Sequence, residues 1–219
     1  MIRPRPHPIR RRDSLRAMER VLNRRGLGPV AGVDEAGRGA CAGPLVVAAV
    51  ILPDDQQFTE IDDSKKLSAI TRQRYYQMLR QSRAEIAVVS ISAAEIDRRG
   101  VGECNLSGMR QAVASLAIRP GYVLTDGFAV SGMGVSSLGV IKGDATAACV
   151  AAASIVAKVE RDSLMEALAD RYRHYGFADH KGYGTARHQE ALVERGLTPE
   201  HRRSYANVAA VVNGLRMRP

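Results

Sequence analysis

Residues 30–40 read Val-Ala-Gly-Val-Asp-Glu-Ala-Gly-Arg-Gly-Ala, and the apolar run Leu45 to Leu52 follows them closely. Short apolar runs bounded by Gly and Pro are typical of buried strands, which predicts strands at Val30 to Asp34 and Leu45 to Leu52. Asp34 and its neighbour Glu35 end the first strand, where adjacent side chains normally point to opposite faces. The glycines after them tolerate a distorted backbone that would bring both carboxylates to one site.

This stretch has the chemistry of a metal and phosphate site. Asp34 and Glu35 offer oxygen ligands to a hard cation, while Arg38 and the backbone N–H groups of Gly37 and Gly39 offer contacts to a phosphate. A solvated turn has the same composition, because charged, glycine-rich turns are common. The stretch alone therefore leaves both interpretations open.

The composition predicts a soluble protein with a polyanionic partner. The chain has 219 residues, of which 45% are hydrophobic and 25% charged, enough for one domain with a sizeable core. Its formal net charge of +9 favours nucleic acid as the partner. No apolar run is long enough to span a bilayer, and no apolar region of a secretory signal follows the basic N-terminus. We therefore expect no membrane association.

The three cysteines do not indicate a zinc site or a disulfide framework. Cys41, Cys104 and Cys149 are widely spaced, and there is no Cys-x-x-Cys pair. This cysteine usage is typical of a reducing, cytoplasmic setting.

The pattern of apolar segments predicts an α/β fold. Strands alternate with helices early in the chain, whereas the last quarter is helical, which favours a mixed β-sheet flanked by helices and a small helical C-terminal appendage. We expect a disordered basic arm at 1–12, a main domain at 13–171 and a helical extension at 172–219 that completes its cleft. The further expected strands are 86–91, 122–125 and a short one within 135–142, and the main expected helices are 71–81, 145–171, 186–195 and 198–214.

Four acids are expected to meet at one edge of the sheet. Asp34, Glu35 and Asp126 end strands and Asp144 begins a helix, and polar groups at strand ends meet in one crevice in α/β sheets. Converging carboxylates repel one another unless a cation neutralises them, and Mg²⁺ or Mn²⁺ suits oxygen ligands. Two such ions about 3.5–4 Å apart can hold both oxygens of a phosphodiester displacement. Taken singly, Asp126 also fits a turn with Gly127, and Asp144 fits a helix N-cap.

Other polar residues are interpreted with their structural alternatives. Lys65 is a candidate phosphate contact, although paired lysines also occur in solvated loops. Tyr183 lies between two glycines, where its ring can lie against a sugar or pack on the surface of a turn. The segment Lys158, Arg161 and Asp162 is interpreted as an exposed charged helix face. His180, His188 and His201 lack metal-ligand spacing and are interpreted as surface residues, with an exception left open for His180.

Taken together, these blocks resemble bacterial ribonuclease HII, the type 2 ribonuclease H family. The matching blocks come in the family's order over about Val30 to Tyr205, and they are 34–39, 42–46, 63–68, 126–127, 142–144, 152–162 and 180–185. The stretch 98–102, with Asn105 nearby, departs from the family's usual Asn-Ile-containing segment, and residues 1–12 lie outside the pattern.

The resemblance implies a fold, an activity and roles for individual residues. It implies an RNase H-like fold and a monomeric endonuclease that depends on Mn²⁺ or Mg²⁺. This enzyme would cut RNA in RNA–DNA hybrids and would cut duplex DNA 5′ of single ribonucleotides, as in ribonucleotide repair. The products would be 5′-phosphate and 3′-hydroxyl ends. The implied metal-binding and catalytic residues are Asp34, Glu35, Asp126 and Asp144, and the implied substrate-binding residues are Gly37, Arg38, Gly39, Lys65 and Tyr183. The rival hypotheses are a non-catalytic basic nucleic-acid-binding protein and a metal nuclease that acts on DNA.

Overall fold

A five-stranded mixed sheet lies at the centre of the protein, whose computed structural model describes residues 15–54, 58 and 67–214. The strands are β1 (Val30–Ala36), β2 (Leu45–Ile51), β3 (Glu85–Ile91), β4 (Tyr122–Asp126) and β5 (Ser136–Val140). They lie in the order β3-β2-β1-β4-β5, with β1, β2 and β3 antiparallel and with β4 and β5 parallel to β1. The predicted mixed sheet is confirmed.

Helices surround this sheet on both faces. They are α1 (Ala17–Arg24), α2 (Ala69–Gln81), α3 (Ala93–Arg99), α4 (Val101–Ala114), a 3₁₀ helix (Gly143–Ala145), α5 (Ala148–Arg171), α6 (Phe177–His180), α7 (Ala186–Arg195) and α8 (Ala206–Val212). Ser68, Ser92 and Thr185 begin α2, α3 and α7 as N-caps, because each side chain accepts a hydrogen bond from a backbone N–H three residues later. In the part of the chain that the structure describes, no helix is long and apolar enough to cross a membrane.

The apolar core forms two layers because β1 and β2 are covered on both faces. Alternate residues of β2 pack against α5 on one face and α4 on the other, and all seven residues of β2 are buried. Helix α5 lies directly on β1 at Gly32, where a Cβ atom would collide with the backbone of Cys149 and Val150. This close approach fixes the position of α5 relative to the end of β1.

Two predicted helix boundaries are wrong. The long helix begins at Ala148 and not at Ala145, because Gly143–Ala145 forms a separate 3₁₀ turn. The expected helix at 198–214 is helical only over Ala206–Val212. Thr198 precedes a proline, which disfavours helical backbone, and its own N–H donates to the side chain of His201 instead.

The C-terminal segment packs against the turn that connects β1 to β2. The backbone N–H groups of Cys41 and Ala42 both donate to the Gly182 carbonyl, and Gly43 N–H donates to Glu200 O. Two predictions concern residues outside the described ranges, namely the basic arm at 1–12 and Lys65.

Candidate active site

A cleft of about 450 Å³ opens where β1 and β4 end and α5 passes beneath them. Its walls bring together most of the residues predicted from the sequence, together with three that were not predicted to line it. The lining residues are Asp34, Glu35, Ala36, Gly37, Arg38, Gly39, Arg72, Asp126, Ser154, Lys158 and Tyr183. Residues far apart in the chain therefore share one polar recess that holds both acidic and basic side chains.

Asp34 and Glu35 reach this cleft from opposite faces of β1. Asp34 lies on the face that packs against α5, where the Ser154 hydroxyl donates a hydrogen bond to its carboxylate. Glu35 lies on the other face, and its Oε1 is 3.8 Å from Arg38 Nη1. Both side chains line one cleft because the strand ends one residue later, at Ala36.

The carboxyl group of Asp34 is buried among other acids. Asp34 is 5% exposed, and this burial raises the pKa of its carboxyl group to about 8. The negative charges of Glu35 and Asp126 also raise this pKa. The hydrogen bond from Ser154 opposes the increase. A carboxylate held in this way gains from a nearby cation, and the three acids of the cleft offer only oxygen atoms, which fits a hard divalent ion.

The fourth predicted acid, Asp144, is close to Asp126 in the fold but does not line the cleft. Oδ1 of Asp126 accepts a 2.7 Å hydrogen bond from Gly143 N–H, which joins the end of β4 to the 3₁₀ helix that carries Asp144. Asp144 is 3% exposed. A Cβ on Gly143 would lie 3.0 Å from a Val150 methyl group, so glycine suits this close contact.

The cleft is not a complete cation cage. Among the described residues, no three acidic, histidine or cysteine side chains have the arrangement of a preformed metal site. This agrees with the usual coordination of Mg²⁺, which takes one or two carboxylates and completes its shell with water and substrate phosphates. The residues present therefore fit a cation whose remaining ligands arrive with the substrate.

The glycine-rich turn is supported from below by Arg161 of α5. The guanidinium donates to Pro44 O at 3.0 Å and to Ala42 O at 3.2 Å, and it is 1% exposed. Gly37 has φ +85°, and a Cβ there would collide with the Arg161 side chain. Burial lowers the pKa of Arg161 to about 10, which leaves it charged near neutral pH.

Tyr183 forms the opposite wall of the cleft. Its ring is 42% exposed and lies 5.6 Å from the Arg161 guanidinium. A Cβ built on Gly39 would lie 4.0 Å from the Tyr183 ring. The Gly37–Gly39 backbone and the Tyr183 ring therefore line one cleft from two sides.

A second buried arginine ties the turn to the C-terminal segment. Arg202 is fully buried and donates to Gly43 O at 2.9 Å and to Arg38 O at 3.1 Å. The Tyr205 hydroxyl donates to the same Arg38 carbonyl at 2.5 Å. With its carbonyl held twice, Arg38 keeps its half-exposed side chain directed over the cleft, near Glu35.

Two interpretations of polar residues are wrong. Arg161 is not part of an exposed charged face, because it carries the buried contacts described above. His188 and His201 are not surface residues, since they are 0% and 1% exposed and contact each other inside the C-terminal segment. Asn105, near the departure from the family pattern, is buried on α4, and its amide atoms have no hydrogen-bond partner among the described residues.

Sequence reasoning missed Arg72, Ser154 and Lys158 as cleft residues. For the residues of α5 a signal was present, because Ser154, Lys158 and Arg161 are spaced by four and three residues and so share one helix face. For Arg72 on α2 no comparable signal exists. It lines the cleft because of how α2 packs against α5.

Comparisons with known proteins agree with this arrangement. A family model described as Ribonuclease HII matches residues 31–208. The chain is 59% identical over 204 residues to the ribonuclease HII of Frankia casuarinae, covering 92% of this chain and 85% of that protein. The crystal structure of ribonuclease H2 from Pyrococcus horikoshii OT3 is 28% identical, with a TM-score of 0.76 over 86% of this chain and 99% of that one. The Bst-RNase HIII structure in complex with Mn²⁺ has a TM-score of 0.65 at 21% identity, over 86% and 70% of the chains.

Proposed function

Because the chain belongs to the ribonuclease HII family and is a ribonuclease H with an RNase H-like fold, we propose that its cleft cuts two substrates. These are the RNA strand of RNA–DNA hybrids and duplex DNA at the 5′ side of a single embedded ribonucleotide. The products carry 5′-phosphate and 3′-hydroxyl ends. The observation that carries the proposal is the shared cleft of Asp34, Glu35 and Asp126 with the glycine-flanked Arg38 and Tyr183.

The acids of the cleft are proposed to hold divalent cations, Mn²⁺ or Mg²⁺. Asp34, Glu35 and Asp126 supply the oxygen ligands, and Asp144 joins them from the adjoining 3₁₀ helix when substrate is present. When bound, such cations make a water nucleophilic at neutral pH and stabilise charge on the departing oxygen. The raised pKa of Asp34 supports this assignment, because a cation would offset the repulsion among the acids. The Mn²⁺ in the Bst-RNase HIII structure supports the choice of ion.

The remaining residues of the cleft position the nucleic acid. Arg38, Arg72 and Lys158 place positive charge along the walls and bind backbone phosphates. Ser154 holds the carboxylate of Asp34 through its hydroxyl. The outcome is a substrate backbone fixed with its scissile phosphate against the acids, which is most of what phosphodiester hydrolysis requires from a protein.

Recognition of the sugar is assigned to the two walls of the cleft. The 2′-hydroxyl distinguishes RNA from DNA, and the Gly37–Gly39 backbone can approach it because no side chain intervenes. The Tyr183 ring then stacks on the next deoxyribose, where a 2′-hydroxyl would obstruct contact. We expect the protein to act as a monomer in the cytoplasm and to remove ribonucleotides from DNA.

One assay tests the proposal against its rivals. The protein is incubated with a duplex that contains one ribonucleotide, in Mg²⁺, in Mn²⁺ or in EDTA, and the ends are mapped. Metal-dependent nicking 5′ of the ribonucleotide supports the proposal, and cleavage of an all-DNA duplex contradicts its substrate. Asp126→Asn serves as the site control, since it should abolish cleavage while duplex binding persists. Near-normal turnover of Asp126→Asn would remove that residue from the mechanism.

A further inference from the structure

We propose that His188 and His201 form a positioning device that holds the backbone of Tyr183 and so sets the preference for an RNA–DNA junction. This inference rests on the proposed role of Tyr183 in reading the junction. Both imidazoles lie behind the cleft wall, buried in the C-terminal segment, and neither lines the cleft. They therefore act through Tyr183 and not on the substrate.

The hydrogen-bond partners fix one proton arrangement for the pair. Thr198 N–H donates to His201 Nδ1 at 2.9 Å, so the proton of His201 is on Nε2. That Nε2–H lies 3.1 Å from His188 Nε2, which must accept it. The proton of His188 is then on Nδ1, which donates to the Tyr183 carbonyl at 2.9 Å. Every contact is satisfied only when both rings are neutral.

The surroundings leave the two rings little freedom to move. His188 stacks on His180 with ring centroids 4.3 Å apart, and Phe177 packs edge-on against it at 5.6 Å. The His180 ring also accepts a hydrogen bond from Gly182 N–H at 3.2 Å. Burial keeps the pKa values of His188 and His201 at about 4, so the neutral forms persist over the physiological range.

The Tyr183 side chain depends on its backbone for position. Tyr183 is 42% exposed, and the Arg161 guanidinium lies 5.6 Å from its ring centroid. Its N–H donates to His180 O, and its carbonyl accepts from Thr185 N–H as well as from His188. Of these contacts, the one to His188 is the only side-chain hydrogen bond to the Tyr183 backbone among the described residues, and it joins the Tyr183 loop to α7.

The test compares two substrates across four single variants. His188→Leu removes the donor to Tyr183, whereas His188→Asn keeps an amide N–H near the Nδ1 position. His201→Asn keeps an acceptor for Thr198 but loses the donor to His188, and it serves if His188→Leu does not fold. His174→Asn alters an exposed histidine and is the matched control. For each variant, kcat and KM are measured on a single-ribonucleotide duplex and on a continuous RNA–DNA hybrid, and folding is checked by urea unfolding.

We expect His188→Leu to lower the ratio of kcat/KM on the single-ribonucleotide duplex to that on the hybrid by about tenfold, the size of one lost hydrogen bond. His188→Asn should restore the ratio to within about threefold, and His174→Asn should leave both values unchanged. In a Tyr183→Ala background, His188→Leu should cause no further loss of the ratio, because both changes act through one side chain.

Two results would overturn the inference. One is a parallel fall on both substrates with an unchanged ratio, which is the signature of a purely structural role. The other is a further fall of the ratio when His188→Leu is added to Tyr183→Ala. A wild-type protein that cleaves hybrids but never the single-ribonucleotide duplex would contradict the proposed substrate itself. The wild-type assay shows this result before any variant is compared.

Discussion

Replacing Gly32 by alanine should separate β1 from α5 and damage both stability and activity. A Cβ at this position would come closer than 3.0 Å to the carbonyl group of Cys149 and the backbone nitrogen of Val150. Real Cβ atoms essentially never approach so closely, and the neighbouring atoms are backbone that cannot rotate away. The helix must therefore move by about 1 Å, which in a close-packed core costs about 3 kcal/mol.

The Gly32→Ala substitution should also lower activity, because β1 and α5 carry residues of the cleft. Asp34 lies two residues after Gly32 on β1, and its hydrogen-bond partner Ser154 lies on α5. A shift between the elements separates these groups, so we expect metal-dependent cleavage to fall by about a hundredfold.

Urea unfolding with a shared m-value measures the stability change. The matched control is Gly102→Ala, on the exposed part of α4, where a Cβ meets nothing within 4 Å. That substitution should stabilise the protein by about 0.5–1 kcal/mol, because alanine favours a helix. An unfolding free energy for Gly32→Ala within about 0.5 kcal/mol of wild type would refute the packing argument.

Three further predictions concern buried polar groups. Because burial keeps the pKa values of His188 and His201 at about 4, below the 6.5 of the unfolded chain, these histidines should lower stability as pH falls from 6.5 to 4, by up to about 3 kcal/mol per histidine. The raised pKa values of Asp34 and Glu19 act in the opposite direction over this range, so wild type is compared with His188→Asn. The urea midpoint of wild type should fall more steeply with falling pH than that of the variant, and equal slopes would contradict this. Glu19→Ala should lower the free energy of unfolding by about 1–2 kcal/mol, because the Glu19 side chain caps α5, whose N-cap residue provides no side-chain hydrogen bond. Glu194→Ala, at an exposed position, is the control. Equal losses of unfolding free energy in the two variants would exclude the cap. Arg161→Met should cost about 3 kcal/mol, because two carbonyls of the glycine-rich turn lose their donor; an unchanged melting temperature would show that the turn supports itself.

Local patterns in the sequence were sufficient for the sheet and for most of the cleft. The apolar runs around Val30 and Leu45 predict adjacent buried strands, and a strand end followed by Gly-Arg-Gly marks a place where side chains from both faces meet. Such features depend on residues a few positions apart, so periodicity and turn chemistry reveal them. The convergence of Asp126 with Asp34 follows from the parallel pairing of β1 with β4.

The buried polar residues could not be predicted in the same way. Arg161 is buried because the carbonyl of Ala42, 119 residues away in the chain, accepts its hydrogen bond. His188 is buried because His201 and the Tyr183 backbone satisfy both of its nitrogens. Polar side chains are normally exposed, and only a hydrogen-bond partner that is distant in the sequence makes their burial favourable. Local residue spacing therefore predicts that such side chains lie on the surface.

Binding of Mn²⁺ to the free protein, followed by electron paramagnetic resonance, tests the central claim most directly. If the acids of the cleft hold the cation, Asp34→Asn and Asp126→Asn should each weaken Mn²⁺ binding by about tenfold or more, while Glu194→Gln leaves it unchanged. Equal affinity in all four proteins would contradict the account, because the cation would then bind elsewhere.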